Sequence, residues 1–94
     1  MSVYLVGYDL TKKQIQQYDN LFAAIKAYGT WWHGLDSTWM VVSSDTAAQI
    51  RDNLQRHMHS DDRLLVIRVS GESAWTTSFS SEAQDWLRQQ LPNA

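Results

Sequence analysis

The chain has no cysteine and a single proline among its 94 residues. Without cysteine it can form no disulfide framework, no thiolate metal site and no cysteine nucleophile, and a reducing compartment is compatible with that composition. Its apolar runs are too short to span a membrane, and its first residues lack the basic segment of a secretory signal. These absences lead us to expect a cytoplasmic protein that does not enter a membrane.

An excess of charge of one sign is also missing, because eight Lys and Arg residues stand against ten Asp and Glu residues, a formal net charge of −2. General nucleic-acid binders rely on basic residues that neutralise phosphates, so this balance argues against that class. A local basic patch stays open near the first predicted helix, where Lys12 and Lys13 are the candidates for nucleic-acid contacts. The alternative for both lysines is an ordinary solvated surface.

Hydrophobic periodicity predicts one domain over residues 1–94, with a core of about 3–70 and a C-terminal extension, 71–94. Apolar and β-branched runs predict strands at 3–8, 30–33, 38–43 and 64–69. Apolar residues at three- and four-residue steps predict a helix from about Gln14 to a left-handed cap at Gly29, and a second helix capped by Asp45. A short terminal helix is predicted to begin after Ser80 or Ser81 and to end at Pro92.

This β-α-β-β-α-β order predicts an α+β, ferredoxin-like fold, because right-handed crossovers arrange it as a four-stranded antiparallel sheet with both long helices on one face. The first and third strands are expected in the middle. The first and last strands are apolar on both sides, and a bare apolar sheet face of that size is uncommon on monomers. We therefore expect the terminal helix, a second copy of the chain, or both, to cover the second face.

Asp9 is the first candidate site residue, because it ends a central strand at a place where a carboxylate can be held rigidly and still reach solvent. In a twofold dimer, two such carboxylates could share Mg²⁺, which prefers oxygen ligands and water. The alternative is structural: the Asp9 side chain caps the turn that follows the strand.

The stretch from Gly29 to Trp39 holds three of the five tryptophans. His33 and Asp36 are spaced for a histidine–carboxylate pair with Ser37 beside them, and the alternative is ordinary turn chemistry. Tryptophans on strands mark either a core or an interface. Trp31 and Trp32, together with His33 and Asp36, are therefore the candidate partner-binding residues.

Three short motifs carry a family resemblance: Val6-Gly7-Tyr8-Asp9 ends the first strand, Tyr28-Gly29 ends the first helix, and Asp36-Ser37-Thr38-Trp39 leads into the third strand. In these motifs and in its order of elements, the chain resembles the Cas-two proteins of CRISPR adaptation and their VapD-type toxin relatives. The resemblance implies a homodimer packed through its sheets, with Asp9 as the Mg²⁺ ligand near the dimer axis and Ser37 as the matching strand serine. The family's arginine-rich first helix has no counterpart here.

Two functional hypotheses follow. The first is a Cas-two-like, nucleic-acid-associated homodimer, in its catalytic form a Mg²⁺-dependent endoribonuclease with Asp9 and Ser37 in the catalytic site and Lys12 and Lys13 on the phosphate. The second is a non-catalytic interaction protein without a cofactor, such as an antitoxin, an immunity protein or an inhibitor subunit, that binds a basic protein partner. The acidic balance favours the second hypothesis, whereas Asp9 and the family resemblance favour the first.

Overall fold

The computed structural model describes residues 1–12 and 18–91. This part of the chain contains a four-stranded antiparallel sheet and three helices, so the predicted α+β class is confirmed. None of the three helices has the length and apolar character that a membrane crossing requires. The elements are, in chain order, β1 (Ser2–Asp9), α1 (Asp19–Lys26), β2 (Trp31–Leu35), β3 (Thr38–Ser43), α2 (Ala47–Gln55), β4 (Arg63–Arg68) and α3 (Ser81–Gln90).

The strands lie in the order β2-β3-β1-β4, which puts β1 and β3 in the middle as predicted. Val6 of β1 stands opposite Trp39 of β3 and Val66 of β4. Residues opposite one another in a ladder share a face of the sheet, and the next residue along each strand points to the other face. The register therefore fixes which side chains each face of the sheet presents.

Helices α1 and α2 cover one face of the sheet, where the larger hydrophobic core lies. The helices contribute apolar side chains at three- and four-residue spacing, as the sequence predicted. The β1 and β3 side chains on this face are almost wholly buried, so the two central strands form the side of the core opposite the helices. The buried members are Tyr4, Val6, Tyr18, Leu21, Ile25, Trp39, Val41, Ile50 and Leu54.

Helix α3 covers part of the second face, and so provides some of the cover that the sequence led us to expect. Its Leu87, together with Leu91 just beyond it, packs on Val3 and Trp32 in a second, smaller core. The partly buried side chains around this second core come from β3, α3 and the segment between β4 and α3. They are Met40, Val42, Val69, Trp75, Phe79, Ala83 and Trp86.

The helix caps follow the sequence with one correction. Gly29 has a positive φ of 93°, the left-handed conformation predicted for it, and Ser80 caps α3 by accepting from the Ala83 amide. The predicted cap of α2 at Asp45 is wrong by one residue, because Thr46 caps the helix. Thr46 and Gln49 form a reciprocal pair of side-chain to backbone hydrogen bonds, and only a cap three residues before a Glu or Gln can make both.

The turn between β2 and β3 is tighter than predicted. Strand β2 continues to Leu35, so the connection consists of Asp36 and Ser37 alone, and the pairing with β3 becomes irregular between Trp32 and Leu35. Gly34 lies in this irregular stretch against the Trp32 ring, where any side-chain carbon would collide with the indole. Two predicted helix ends lie outside the described residues: the start of the first helix at Gln14 and the end of the terminal helix at Pro92.

Candidate functional site

Asp9 lies at the exposed end of β1, directly opposite Arg63 of β4. One Asp9 carboxylate oxygen is 3.9 Å from the Arg63 guanidinium, and the two side chains are 79% and 85% exposed. An ion pair this long and this exposed contributes little to stability and leaves both groups free to exchange partners. The Asp9 carboxylate is therefore accessible to a ligand, and the Arg63 guanidinium beside it partly offsets its charge.

One chain does not assemble a magnesium site around Asp9. Ser37 stands near it in the β2–β3 turn, where the Ser37 carbonyl oxygen accepts from the Tyr8 amide and the residue is exposed. Over residues 1–12 and 18–91, no three His, Asp or Glu side chains come close enough together to hold a metal ion. Any Mg²⁺ at Asp9 would therefore need ligands from a second molecule or from water.

Of the two lysines predicted to bind phosphate, the structure describes Lys12. The Lys12 ammonium lies 3.9 Å from the Asp61 carboxylate, and both side chains are well exposed. Lys13 lies outside the described residues. At this end of the sheet, the Arg63 guanidinium stands beside the Asp9 carboxylate.

The tryptophan-rich hairpin divides between the two faces of the sheet. Trp32 is only 5% exposed, lies beneath α3 and donates its indole N–H to the Ala83 carbonyl at 3.3 Å. Trp31 points to the opposite face and is 38% exposed, with the Lys26 ammonium 5.3 Å from its ring centroid. Of the two tryptophans predicted as anchors, Trp31 has a partly exposed ring, while Trp32 is buried against α3.

His33 is held by stacking rather than by a carboxylate. Its ring lies 3.8 Å from the Trp39 ring at an interplanar angle of 10°. Its Nε2 is 3.2 Å from the backbone carbonyl oxygen of Asp36, so the histidine–carboxylate pair considered from the sequence is not formed. Beneath it, the Trp39 indole donates to the Tyr8 hydroxyl at 2.9 Å, and burial raises the pKa of Tyr8. This aromatic cluster is a packing unit.

The second sheet face carries an apolar surface that α3 leaves open. Leu35, Leu65 and Ile67 are 49%, 57% and 48% exposed, although each lies on a strand of the sheet. Leu5 stands opposite Ile67 in the ladder, and Gly7 opposite Leu65. Leu35 lies in the same cross-strand row as Gly7, because both pair with Thr38, so the exposed side chains share one face of the sheet. We call the surface formed by Leu5, Gly7, Leu35, Leu65 and Ile67 the open face.

Asp62 is a structural residue that could not be recognised from the sequence, because it lies in a short polar stretch between α2 and β4. Its carboxylate accepts hydrogen bonds from the Thr11 amide and hydroxyl, the Tyr18 hydroxyl and the His59 amide, at 2.8 to 3.0 Å. Burial acts to raise the pKa of Asp62, but these donors outweigh it and lower the pKa from 3.8 to about 2. Asp62 thereby ties the segment after β1 to the segment before β4.

No protein-family model and no solved structure matches this chain.

Proposed function

We propose that this protein is a non-catalytic interaction module with a ferredoxin-like fold, and that it acts as a homodimer formed through the open face. The fold assignment rests on the strand order, with β1 and β3 central, and on the packing of α1 and α2 against one sheet face. The functional proposal rests on one observation, the exposure of Leu35, Leu65 and Ile67 on the other face.

An apolar surface on a regular sheet is suited to burial against another protein. Water-exposed leucine and isoleucine side chains lose their contact with water on association, and each fully buried side chain contributes roughly 1.5–3 kcal/mol. Because strands hold these side chains rigidly, little conformational entropy is lost when a partner docks. The open face therefore has the physical character of an interface core.

A second copy of the chain suits the charges at the edge of the open face. Asp9 and Arg63 both stand at one end of this face and are only loosely paired with each other. A twofold interface is self-complementary, so it can place Asp9 of one subunit against Arg63 of the partner subunit. A strongly basic partner would place positive charge against Arg63, and a strongly acidic partner would place negative charge against Asp9.

A charge introduced on the open face is the direct test of the dimer. We expect the wild-type protein to sediment as a dimer at micromolar concentration and Leu65→Glu to sediment as a monomer, because the interface would have to bury two unpaired carboxylates. Leu65 is 57% exposed, so the substitution should leave the fold and its circular dichroism spectrum intact. Analytical ultracentrifugation over a concentration series measures the association.

Ala48→Glu is the matched control, because it adds the same charge at an exposed position of α2, behind the other face of the sheet. We expect this variant to dimerise as the wild type does. A wild-type chain that stays monomeric throughout the series would contradict the proposal, as would a Leu65→Glu variant that dimerises with unchanged affinity.

A Mg²⁺-dependent endoribonuclease is the second candidate function, favoured by the position of Asp9 beside the open face. A dimer formed through that face would contain two Asp9 carboxylates, one from each subunit. Carboxylates and water are the ligands that Mg²⁺ prefers. Ser37 would lie at the same end of each subunit. Trp31, His33 and Asp36 stay the candidate contacts for a basic protein partner.

The test of this second candidate is RNA cleavage in Mg²⁺ with a matched pair of variants. If the nuclease hypothesis holds, Asp9→Asn should lose at least about 100-fold in cleavage rate, a loss typical of removing a charge-stabilising group from a catalytic site. Asp61→Asn, which also removes an exposed carboxylate near a basic residue, should keep its activity. Equal cleavage by wild type and Asp9→Asn would assign the activity to a contaminant and reject the hypothesis.

A further inference from the structure

Strand β4 lies at one edge of the sheet, with β1 on its inner side. The Val69 amide donates to the Val3 carbonyl at 2.8 Å, which continues the β1–β4 register. In an antiparallel ladder, hydrogen-bonded and non-hydrogen-bonded pairs alternate, so the N–H and C=O groups of every second residue point away from the neighbouring strand. The β4 residues whose backbone groups point outward are therefore Leu64, Val66 and Arg68.

The two edge strands of the sheet differ in their protection against further pairing. Proteins commonly protect edges with bulges, prolines or lysines, because free edge groups readily pair with another chain. In β2 the pairing is irregular between Trp32 and Leu35, and α3 lies against Trp32. Strand β4 keeps one register from Arg63 to Arg68 and contains neither proline nor lysine. Strand β4 is therefore the edge that is suited to accept a further strand.

A groove of about 240 Å³ lies beside this edge, on the sheet face that α2 covers. Ala47 and Ala48 of α2 leave room there, because their side chains are small. In a strand added to β4, the side chain opposite Val66 points to this same face and reaches the groove. A small apolar side chain fits that position. The groove residues are Ala47, Ala48, Arg51, Leu64, Leu65 and Val66.

The charges around the groove favour an acidic segment over a second copy of β4. Arg51 is 54% exposed and its guanidinium lies 2.9 Å from the Asp52 carboxylate, an exposed pair that leaves it able to bind another carboxylate. If two β4 strands paired antiparallel through all their outward-pointing residues, Arg68 of the second copy would stand opposite Leu64. Leu64 and Arg51 line the same groove, so the two guanidinium groups would repel each other.

We propose that β4 binds an extended segment of a partner protein as a fifth strand, with apolar residues at the centre of that segment and a carboxylate on either side of them. The carboxylates stand opposite Leu64 and Arg68, where they meet the Arg51 and Arg68 guanidinium groups. The central apolar side chain occupies the groove beside Val66. This inference rests on the proposed role as an interaction module, and it does not require the dimer.

The test uses a peptide, Ser-Glu-Val-Val-Val-Glu-Ser, labelled with fluorescein, and fluorescence anisotropy with the full chain. We expect saturable binding in the micromolar range. Methylation of the central valine nitrogen should weaken binding about tenfold, because this N–H faces the Val66 carbonyl and the methyl group blocks the approach. Methylation of the next valine nitrogen, which points away from β4, should leave the affinity close to that of the unmodified peptide. Equal affinities of the two methylated peptides would overturn the added strand.

The role of Arg51 is tested by exchanging charges. Arg51→Glu should weaken the acidic peptide roughly fivefold and strengthen, by a similar factor, a peptide with lysine in place of each glutamate. Arg56→Glu is the matched control, because Arg56 is also exposed at the end of α2 but lies outside the groove residues named above. We expect Arg56→Glu to bind both peptides as the wild type does. Equal effects of the two substitutions would reject the contact with Arg51.

Two further results would overturn the proposal. One is the absence of saturable binding by the acidic peptide. The other is tighter binding of a peptide with the β4 sequence, Arg-Leu-Leu-Val-Ile-Arg, which would assign the edge to a second copy of the chain. Sedimentation tests the dimer separately: a monomeric chain that binds the acidic peptide would keep this inference and reject the dimer, and a dimer that does not bind it would do the reverse.

Discussion

Trp39→Ala should lower the free energy of unfolding by about 4 kcal/mol, the cost expected when a fully buried large aromatic side chain is truncated. Trp39 is 2% exposed and lies on the central strand β3, on the sheet face that α1 and α2 cover. Its ring stacks on His33 at 3.8 Å and on Phe22 at 6.0 Å. The substitution would leave a cavity among these rings, which the sheet beneath cannot close.

The Trp39 indole also holds the Tyr8 hydroxyl, so truncation should change the titration of that tyrosine. Burial is the main cause of the raised pKa of Tyr8, and the hydrogen bond from Trp39 opposes it. A cavity that admits water should bring the Tyr8 pKa back toward its ordinary value, which an ultraviolet titration of the tyrosines can follow. Urea unfolding at neutral pH measures the stability loss itself.

Trp31→Ala is the matched control for Trp39→Ala, because it removes the same side chain from the neighbouring strand. Trp31 is 38% exposed and packs against Trp39 at a ring distance of 5.4 Å. Its removal should cost about 1 kcal/mol, since water already reaches much of the ring. A Trp39→Ala variant no less stable than Trp31→Ala would show that the hairpin is not part of the core.

Periodicity predicted the elements because each one buries a regular stripe of side chains. Tyr18, Leu21 and Ile25 recur at helical spacing and point into one core, and Val6 sits in a run that only a central strand can bury. The cap at Thr46 was missed by one residue, because Asp45 is an equally good capping type and only the reciprocal bond with Gln49 distinguishes them.

The candidate sites were harder to predict, because they depend on contacts between residues far apart in the chain. Trp31 and Trp32 are neighbours in the sequence, but Trp31 is partly exposed to solvent and Trp32 is buried beneath α3. The hydrogen-bond partner of Trp32, Ala83, lies 51 residues further along the chain. Asp62 lies in a polar stretch that resembles an ordinary loop. Its hydrogen bonds to Thr11 and Tyr18 form only when the sheet and the helices are assembled.

Asp62→Asn should lower the free energy of unfolding at pH 7 by about 2 kcal/mol, because an amide oxygen accepts hydrogen bonds less strongly than a carboxylate and four donors converge on this side chain. Asparagine keeps the shape of the side chain and one acceptor oxygen. Three of the four hydrogen bonds meet one carboxylate oxygen and the fourth, from the His59 amide, meets the other. An amide group must therefore turn its own N–H₂ toward one of these donors, and the network cannot be restored by flipping it.

Acid should erase the difference between Asp62→Asn and the wild type. The pKa of Asp62 is about 2 in the folded protein and 3.8 in the unfolded chain, so the folded state binds this proton less readily. The stabilisation by Asp62 is therefore fully present above the unfolded value and is lost as the pH falls from about 4 toward 2. Urea unfolding of both proteins across this window should show the two stabilities converging.

Asp61→Asn is the matched control in the same segment, since the exposed Asp61 carboxylate forms a long ion pair with the Lys12 ammonium, at 3.9 Å. Exposed pairs of this kind contribute about 1 kcal/mol or less, so this variant should stay close to the wild type at pH 7. An equal loss of unfolding free energy in both variants would mean that stability depends on the negative charge of this segment and not on the hydrogen bonds of Asp62. Because the Asp62 donors come from the segment between β1 and α1 and from the segment between α2 and β4, a loss seen in Asp62→Asn alone would show that these hydrogen bonds hold the two segments together.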